Sequence, residues 1–195
     1  MLQDVSKHFR LLNRREGLKG SIQDLFSRNY KVVKAVDGIG FTIQQGELVG
    51  FIGPNGAGKS TTIKMLSGVL EPTSGVISVD GVVPYRQRRK HAQNIGIVFG
   101  QRTQLWWDLA VIESFKLLKE IYGIDTAAYQ RNLGIFNDIV NLKELYGTPV
   151  RSLSLGQRML CDIAASFIHD PRIIFLDEPT IGLDVDIRSK VRSII

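Results

Sequence analysis

The sequence has little cysteine and no long apolar run. Cys161 is its only cysteine, which excludes an internal disulfide and a thiolate-rich zinc site. No apolar run approaches the ~18–20 residues of a membrane-spanning helix. The first ten residues, MLQDVSKHFR, carry charges where a signal peptide would be apolar, which favours a cytosolic protein. Hydrophobic residues make up 44% and charged residues 23%, as in globular domains, so a disordered chain is excluded.

Charge is unevenly distributed along the chain. The net charge of +6 comes from 25 basic and 19 acidic side chains, and the whole excess lies within residues 7–34. Such a segment is either a solvated surface or a contact for acidic lipid head groups or nucleic acid. Within it, apolar residues at helical spacing predict a short amphipathic helix over residues 20–28.

Apolar patterning predicts strands that alternate with helices. Leu48–Ile52 is apolar apart from one glycine and is followed by Gly53, as expected of a buried parallel strand. The alternation predicts an α/β fold with a mainly parallel sheet and an inserted helical subdomain at about 104–170. The predicted strands cover 2–6, 32–43, 48–52, 76–80, 95–99 and 173–176, and the predicted helices cover 59–67, 111–122, 127–141 and a segment from about 154.

Residues 53–60, GPNGAGKS, match the pattern G-x-x-x-x-G-K-[ST] of a phosphate-binding loop, and Thr61 follows it. Glycines let the backbone N–H groups surround a phosphate, and the start of the following helix adds a favourable partial charge. Lys59 would reach the β- and γ-phosphates, and the Ser60 hydroxyl would bind Mg²⁺. The predicted nucleotide-binding residues of this loop are Gly53, Pro54, Asn55, Gly56, Ala57, Gly58, Lys59, Ser60 and Thr61.

A second apolar run ends in two carboxylates, Asp177 and Glu178. In a protein with a phosphate-binding loop, the strand before such a pair brings the first carboxylate to the magnesium ion. Asp177 is therefore predicted to bind Mg²⁺, and Glu178 to polarise the attacking water. Without the loop, an ordinary strand followed by an acidic turn would explain this pattern equally well.

These motifs together resemble the ATP-binding subunits of ABC transporters. Residues 153–157, LSLGQ, look like the family's signature motif, LSGGQ. Gln101 matches the Q-loop glutamine, and residues 182–184, GLD, look like the D-loop. Tyr30 precedes the phosphate-binding loop at about the distance of the aromatic residue that stacks on adenine. The motifs occur in the family's order over almost the whole chain.

The resemblance implies a function and a set of site residues. It implies a P-loop NTPase core, an antiparallel β subdomain and a helical subdomain within one ATP-binding domain, 1–195, with a basic N-terminal insertion at about 10–29. It implies ATP and Mg²⁺ as cofactors, with Gln101 catalytic and in the magnesium shell. The further nucleotide contacts that it implies are Tyr30, Ser154, Gly156, Gln157 and Asp184.

The implied partners are a second ATP-binding subunit and a membrane permease. The two subunits would pair head to tail around two ATP molecules, on the cytoplasmic face of the membrane, and no nucleic acid is expected as a partner. Residues 98–109, VFGQRTQLWWDL, look most like the exporter branch that pairs with ABC-2-type permeases, such as the daunorubicin-resistance group. Of Trp106 and Trp107, one is expected in the core and the other at an interface.

The sequence departs from the family pattern at two places. Leu155 stands where the signature motif usually has glycine. The family's switch histidine follows the Walker B glutamate, but no histidine follows Glu178 here. The sequence ends at Ile195, in the helix expected after the D-loop. The resemblance therefore implies either a fragment that lacks the final strand or strands of the sheet or a degenerate subunit, and the intact motifs favour the fragment. We therefore expect weak folding and poor turnover.

Three other functions are compatible with parts of this pattern. A soluble ABC-type ATPase acting on DNA would carry a long coiled coil between Gln101 and Ser154, and this interval is short and shows no sustained heptads. Ribosome-acting relatives carry two cassettes, and this sequence has one. An ATP-binding module without hydrolysis, or an importer subunit, would share all the motifs found.

Overall fold

Two compact units, Met1–Arg88 and Arg89–Ile195, make up the chain. The computed structural model describes residues 1–12, 30–100, 102–180 and 182–194. Two sequence predictions, the helix over 20–28 and the position of Gln101, therefore lie outside the described residues. So does most of the basic segment over 10–29.

The first unit is built around a three-stranded antiparallel sheet in the order β2-β1-β3. Leu2 lies opposite Phe41 of β2 on one side and Ile77 of β3 on the other. Strand β1 is longer than the predicted strand 2–6, so the first residues assigned to the insertion at 10–29 continue this strand. The elements are β1 (Leu2–Leu12), β2 (Tyr30–Phe41), α1 (Lys59–Leu66) and β3 (Ser74–Ile77).

The predicted strand Leu48–Ile52 is wrong. This segment adopts no strand conformation, and the exposed fractions of Leu48 and Ile52 are 87% and 99%. A parallel strand needs a neighbour whose backbone groups complete its hydrogen bonds. The described strands of residues 1–88 pair only with one another, in the antiparallel sheet. The residue types of an apolar run are therefore not enough to predict a buried strand, because the strand also needs a neighbouring strand to pair with.

The second unit contains a two-stranded parallel sheet and four longer helices. Strand β4 pairs with β5 from Ile95 opposite Ile173 to Phe99 opposite Asp177. These two strands are the parallel part of the predicted sheet in the described chain. The elements are α2 (Arg88–Ala92, which begins at the boundary between the units), β4 (Ile95–Phe99), α3 (Val111–Tyr122), α4 (Thr126–Val140), two 3-10 turns (Leu142–Leu145 and Val150–Ser152), α5 (Leu155–Phe167), β5 (Ile173–Asp177) and α6 (Val185–Ile194).

The boundaries of the helices follow from local sequence signals. Helix α3 ends at Gly123, whose φ of +66° places it in the left-handed conformation that suits a helix end. Helix α4 begins after Asp125, whose carboxylate accepts hydrogen bonds from the N–H groups of Ala127 and Ala128. These positions confirm the predicted helices to within one residue. Of the helices that the structure describes, none combines the length and apolar character that crossing a membrane requires.

The core of the second unit surrounds helix α5. All residues of this helix from Met159 to Ser166 are buried, and the helix packs against β4, α3, α4 and α6. Cys161 is fully buried in this core, and burial raises the pKa of its thiol to about 12. The thiol therefore stays protonated at neutral pH, so it is a small apolar core residue and not a nucleophile.

Phe115 is a test of this packing, because its side chain on α3 is fully buried while Leu117 on the same helix is 39% exposed. We expect Phe115→Ala to lower the free energy of unfolding by about 3–5 kcal/mol, since it leaves a cavity in the core. Leu117→Ala, the matched control, should cost less than about 1 kcal/mol. Chemical denaturation of both variants measures the difference, and equal costs would contradict the described core.

Candidate nucleotide-binding site

The phosphate-binding loop of the first unit leads directly into helix α1. The helix begins at Lys59, and its N-cap Gly58 has a φ of +87°, which a residue with a side chain rarely adopts. A Cβ at Gly58 would lie 2.4 Å from the carbonyl oxygen of Ala35 in β2. Glycine is thus required here both by the turn and by the approach of the neighbouring strand.

The N-terminus of α1 is suited to bind an anion. No side chain caps it, and its first turn contains no acidic residue, so the first N–H groups lack helical partners and the helix dipole favours negative charge. The Lys59 ammonium donates hydrogen bonds to the carbonyl oxygens of Gly53 (2.8 Å) and Pro54 (2.9 Å) and thus lies over the loop. A Cβ at Gly56 would meet open space. The loop therefore has the donors and the room that a polyphosphate needs.

Each of the two residues predicted to bind Mg²⁺ carries an oxygen donor of the kind that this ion prefers. Ser60, in the first turn of α1, presents a hydroxyl, and Asp177 ends strand β5 in the second unit. In the part of the chain that the structure describes, no group of three or more His, Cys, Asp or Glu side chains could hold a metal ion. Mg²⁺ is commonly bound by one or two protein oxygens together with substrate phosphates, and a serine hydroxyl or an aspartate carboxylate suits that mode.

A groove of about 680 Å³ opens beside the loop in the first unit. Its walls come from β2, from the segment before the loop and from the start of α1. Phe41 and Phe51 line it with their rings edge to face at 5.4 Å. Tyr30 lies at the first position of β2, 40% exposed, and is not among the residues that line this groove. Its proposed stacking on adenine stays a prediction.

The two acidic residues at the end of β5 lie next to the end of β4. The N–H of Gly100 donates to the carbonyl oxygen of Asp177 at 2.9 Å. Glu178 has a φ of +55°, a strained conformation for a residue with a side chain. A Cβ on Gly100 would lie 2.4 Å from the Glu178 carbonyl oxygen. The residue before Gln101 is therefore packed directly against the backbone of the predicted catalytic glutamate.

The signature motif forms the start of helix α5, as predicted. Ser154 is the N-cap, and its Oγ accepts a hydrogen bond from the N–H of Gln157 at 3.2 Å. The Gln157 side chain accepts in return from the N–H of Ser154 at 2.9 Å. This capping box fixes the entry of the chain into the helix. Both predicted nucleotide contacts therefore have a local structural role as well.

Two further positions of the signature motif, Leu155 and Gly156, pack against the D-loop and the helix that follows it. A Cβ at Gly156 would lie 2.9 Å from Cγ1 of Ile187 on α6, so a larger residue would displace this helix. A Cβ at Gly182 would lie 3.1 Å from Cδ2 of Leu155. Leu155 itself is 41% exposed. The leucine that departs from the family pattern thus covers the D-loop glycine.

Asp184 has a role that the sequence analysis missed. Its Oδ1 accepts a hydrogen bond from the N–H of Ile187 at 2.8 Å, which caps the first turn of α6. An aspartate directly before a helical segment was the signal that could have predicted this. The predicted nucleotide contact of Asp184 remains a prediction.

The expectation that one of the two tryptophans lies in the core is wrong. Trp106 is 38% exposed and Trp107 is 50% exposed. The guanidinium of Arg158 on α5 lies 5.3 Å from the centre of the Trp107 ring, a cation–π contact. Both rings thus lie at the surface of the unit, and Arg158 covers part of the Trp107 ring.

Asp162 is a buried carboxylate that the sequence analysis did not select. It lies in the middle of α5 with a residue exposure of 4%, and its Oδ1 accepts hydrogen bonds from the Thr103 hydroxyl (2.8 Å) and from the Gln104 N–H (3.0 Å). Burial raises the pKa of Asp162 to about 6, although these hydrogen bonds act in the opposite direction. A single acidic residue within the apolar run MLCDIAASF was the available signal.

The predicted site residues thus form two groups. The phosphate-binding loop over 53–61 and its groove belong to the first unit. The acidic pair at Asp177, the signature motif and the D-loop belong to the second. Comparison with known proteins places the phosphate-binding loop, the signature motif and the acidic pair in one family, because the family model for the ABC transporter matches residues 36–181. The chain belongs to the ABC transporter family.

Two curated relatives extend this result. The chain is 38% identical over 160 residues to the ABC transporter ATP-binding protein NatA of Bacillus subtilis, a match that covers 82% of this chain and 65% of NatA. It is 33% identical over 168 residues to the Nod factor export ATP-binding protein I of Ralstonia nicotianae, over 86% of this chain and 52% of that protein. The chain therefore spans less than two thirds of the length of each of these relatives.

A solved structure confirms the fold class. The chain matches the dimeric structure of a post-hydrolysis state of the ATP-binding cassette MJ0796, bound to ADP and Pi, with a TM-score of 0.76 and 23% sequence identity. The match covers 98% of this chain and 79% of that one. The α/β architecture of an ABC ATPase predicted from the motifs is thus confirmed.

Gly100 tests the packing of the β4 end against Glu178. We expect Gly100→Ala to lower the free energy of unfolding by about 1–3 kcal/mol, because the new Cβ would overlap a backbone carbonyl that cannot move aside. Gly134→Ala is the matched control: the position is inside helix α4 and open, so the change should stabilise by about 0.5–1 kcal/mol. Chemical denaturation gives both values, and the same sign for both variants would contradict the described contact.

The pKa of Asp162 predicts a pH dependence of stability. The native carboxyl holds its proton up to about pH 6, whereas the unfolded one loses it near 3.8. The native state therefore binds more protons between these values, and the free energy of unfolding contributed by this group falls as the pH rises, by up to about 3 kcal/mol. Denaturation across this range should show the free energy of unfolding of the wild type falling relative to that of Asp162→Asn, because the other titrating groups are common to both proteins. Parallel curves would refute the shift.

Proposed function

We propose that this chain binds and hydrolyses ATP to power export of a substrate by a partner membrane permease of the ABC-2 type. The single observation that carries the proposal is the phosphate-binding loop. Its Lys59 ammonium lies over the loop carbonyls, and the uncapped helix behind it starts at Gly58. A polyphosphate in this loop would take over the lysine contacts and accept hydrogen bonds from the N–H groups at the helix start.

The proposed hydrolysis assigns separate roles to the acidic pair. Mg²⁺, when bound with ATP, would neutralise charge on the phosphates, and Ser60 and Asp177 would hold it. Glu178, next in the chain, would accept a proton from the attacking water. Gln101 would complete the magnesium shell. The Glu178 backbone packs against Gly100 and its side chain is exposed, so its carboxylate is accessible to a water molecule.

A second ATP-binding subunit is part of the proposal. The start of α5 is exposed at Ser154, and the Ser154 Oγ acts there as acceptor. Its hydroxyl hydrogen can therefore still donate to a phosphate oxygen from another subunit. The helix dipole at Gly156 favours the same ligand. The MJ0796 cassette, which this fold matches, is described as a dimer with ADP and Pi bound.

The most specific part of the proposal is the direction of transport, which is export. The relative from Ralstonia is named for Nod factor export, and the exposed tryptophans Trp106 and Trp107 offer apolar surface to a membrane partner. The chain would then act at the cytoplasmic face of the membrane. We assign Tyr30, Gln157 and Asp184 as further nucleotide contacts on the basis of the motif match, and 1–195 as one ATP-binding domain.

Two variants test binding and hydrolysis separately. Lys59→Ala should abolish saturable MgATP binding in a titration, because the loop loses its only ammonium. Glu178→Gln should bind MgATP like the wild type but turn it over about 100-fold or more slowly, since the amide cannot accept a proton. Arg86→Gln, an exposed residue of the first unit outside the site, is the control for both assays.

The outcomes separate the alternatives. Binding by Lys59→Ala equal to that of the wild type would refute the nucleotide site. Turnover that does not respond to Glu178→Gln, with binding intact, would instead identify an ATP-binding module whose hydrolysis, if any, does not use this residue.

A further inference from the structure

The segment that follows Gln101 is attached to the signature helix by buried hydrogen bonds. Asp162 of α5 accepts from the Thr103 hydroxyl and the Gln104 N–H through the same oxygen, Oδ1. The Gln104 side-chain amide donates to the backbone carbonyl of Asp162 at 2.9 Å. The Thr103 Oγ1 in turn accepts from the N–H of Leu105 at 3.1 Å. Two consecutive residues are thus bonded directly to a single position of the helix, and the third is bonded to it through Thr103.

The same segment is attached a second time, further along. The Arg158 guanidinium, one helical turn before Asp162, lies over the ring of Trp107. The N–H of Arg151 donates to the Trp107 carbonyl oxygen at 3.0 Å, and its guanidinium pairs with Asp108 at 2.9 Å. Exposed contacts of this kind are weak one by one, so the buried hydrogen bonds at Asp162 are the stronger attachment.

The buried carboxylate of Asp162 is explained better by the positions of its hydrogen-bond partners than by the packing of the core. A buried carboxylate is costly unless it is hydrogen-bonded, and an apolar side chain would fill the same core at lower cost. Unlike an apolar side chain, Asp162 positions other residues, because Thr103 and Gln104 both donate hydrogen bonds to its Oδ1. Between these residues and Asp108 stand Trp106 and Trp107, both exposed.

We propose that Asp162 is a positioning residue that holds residues 102–108 on the signature helix, so that this segment and the start of α5 move as one body during the ATPase cycle. The inference rests on the proposed function for the meaning of that cycle. Beyond that function, it identifies Asp162 as the residue that joins the signature helix to the segment after Gln101. Asp162 is buried in the second unit and acts through Thr103 and Gln104.

The two tryptophans of the chain lie in this segment, so tryptophan fluorescence reports on it alone. In Asp162→Ala and Thr103→Val we expect quenching by acrylamide to rise by about twofold, since the segment is released. We expect kcat for MgATP to fall by about tenfold while the MgATP dissociation constant stays within about twofold, the effect of one or two lost buried hydrogen bonds. Asp162→Asn keeps an acceptor oxygen and should restore most of both readouts.

The control is Ser166→Ala on the same buried helix face, where the lost hydroxyl bonds only to Ile163 of its own helix. It should leave quenching and kcat as in the wild type. Quenching unchanged in Thr103→Val, a variant that retains the carboxylate and the volume, would overturn the proposal. So would a loss of MgATP affinity equal to the loss of turnover. A wild-type protein that neither binds nor hydrolyses MgATP refutes the proposed function instead. In that case the acrylamide quenching of the variants alone shows whether Asp162 positions the segment.

Discussion

The burial of helix α5 is the constraint on which the second unit depends. Its residues from Met159 to Ser166 are enclosed by β4, α3, α4 and α6, so the helix has no freedom to shift without disturbing all of them. The functional segments of this unit are attached to the same helix: the signature motif is its first turn, Gly156 contacts α6, and Asp162 holds the segment after Gln101. A close-packed helix with a capped start is well suited to present these groups in fixed positions.

The first unit is organised by a different constraint, which is the left-handed turn at Gly58. This turn brings the loop against β2 and leaves the N-terminus of α1 without a side-chain cap. Glycine at this position therefore serves the fold and the chemistry together: the close approach to Ala35 needs the missing Cβ, and the missing cap leaves N–H groups for a phosphate. Lys59 supplies the positive charge at the same place.

Several residues combine structural and proposed chemical roles. Ser154 and Gln157 complete each other's backbone hydrogen bonds at the start of α5, and Asp184 does the same for α6. Glu178 has a strained backbone next to Gly100. Substitutions at such positions affect stability as well as turnover, so activity changes need stability controls to be interpreted.

The sequence by itself determined the family, the phosphate-binding loop and the helix boundaries. It also determined that an apolar strand is followed directly by the acidic residues Asp177 and Glu178. These features depend on residue type and short spacing. Tertiary structure decided the rest. The apolar run Leu48–Ile52 forms no strand, since a strand requires a partner that its own residues cannot supply. The exposure of Trp106 and the hydrogen bonds of Asp162 depend on residues far apart in sequence, whose proximity no local pattern encodes.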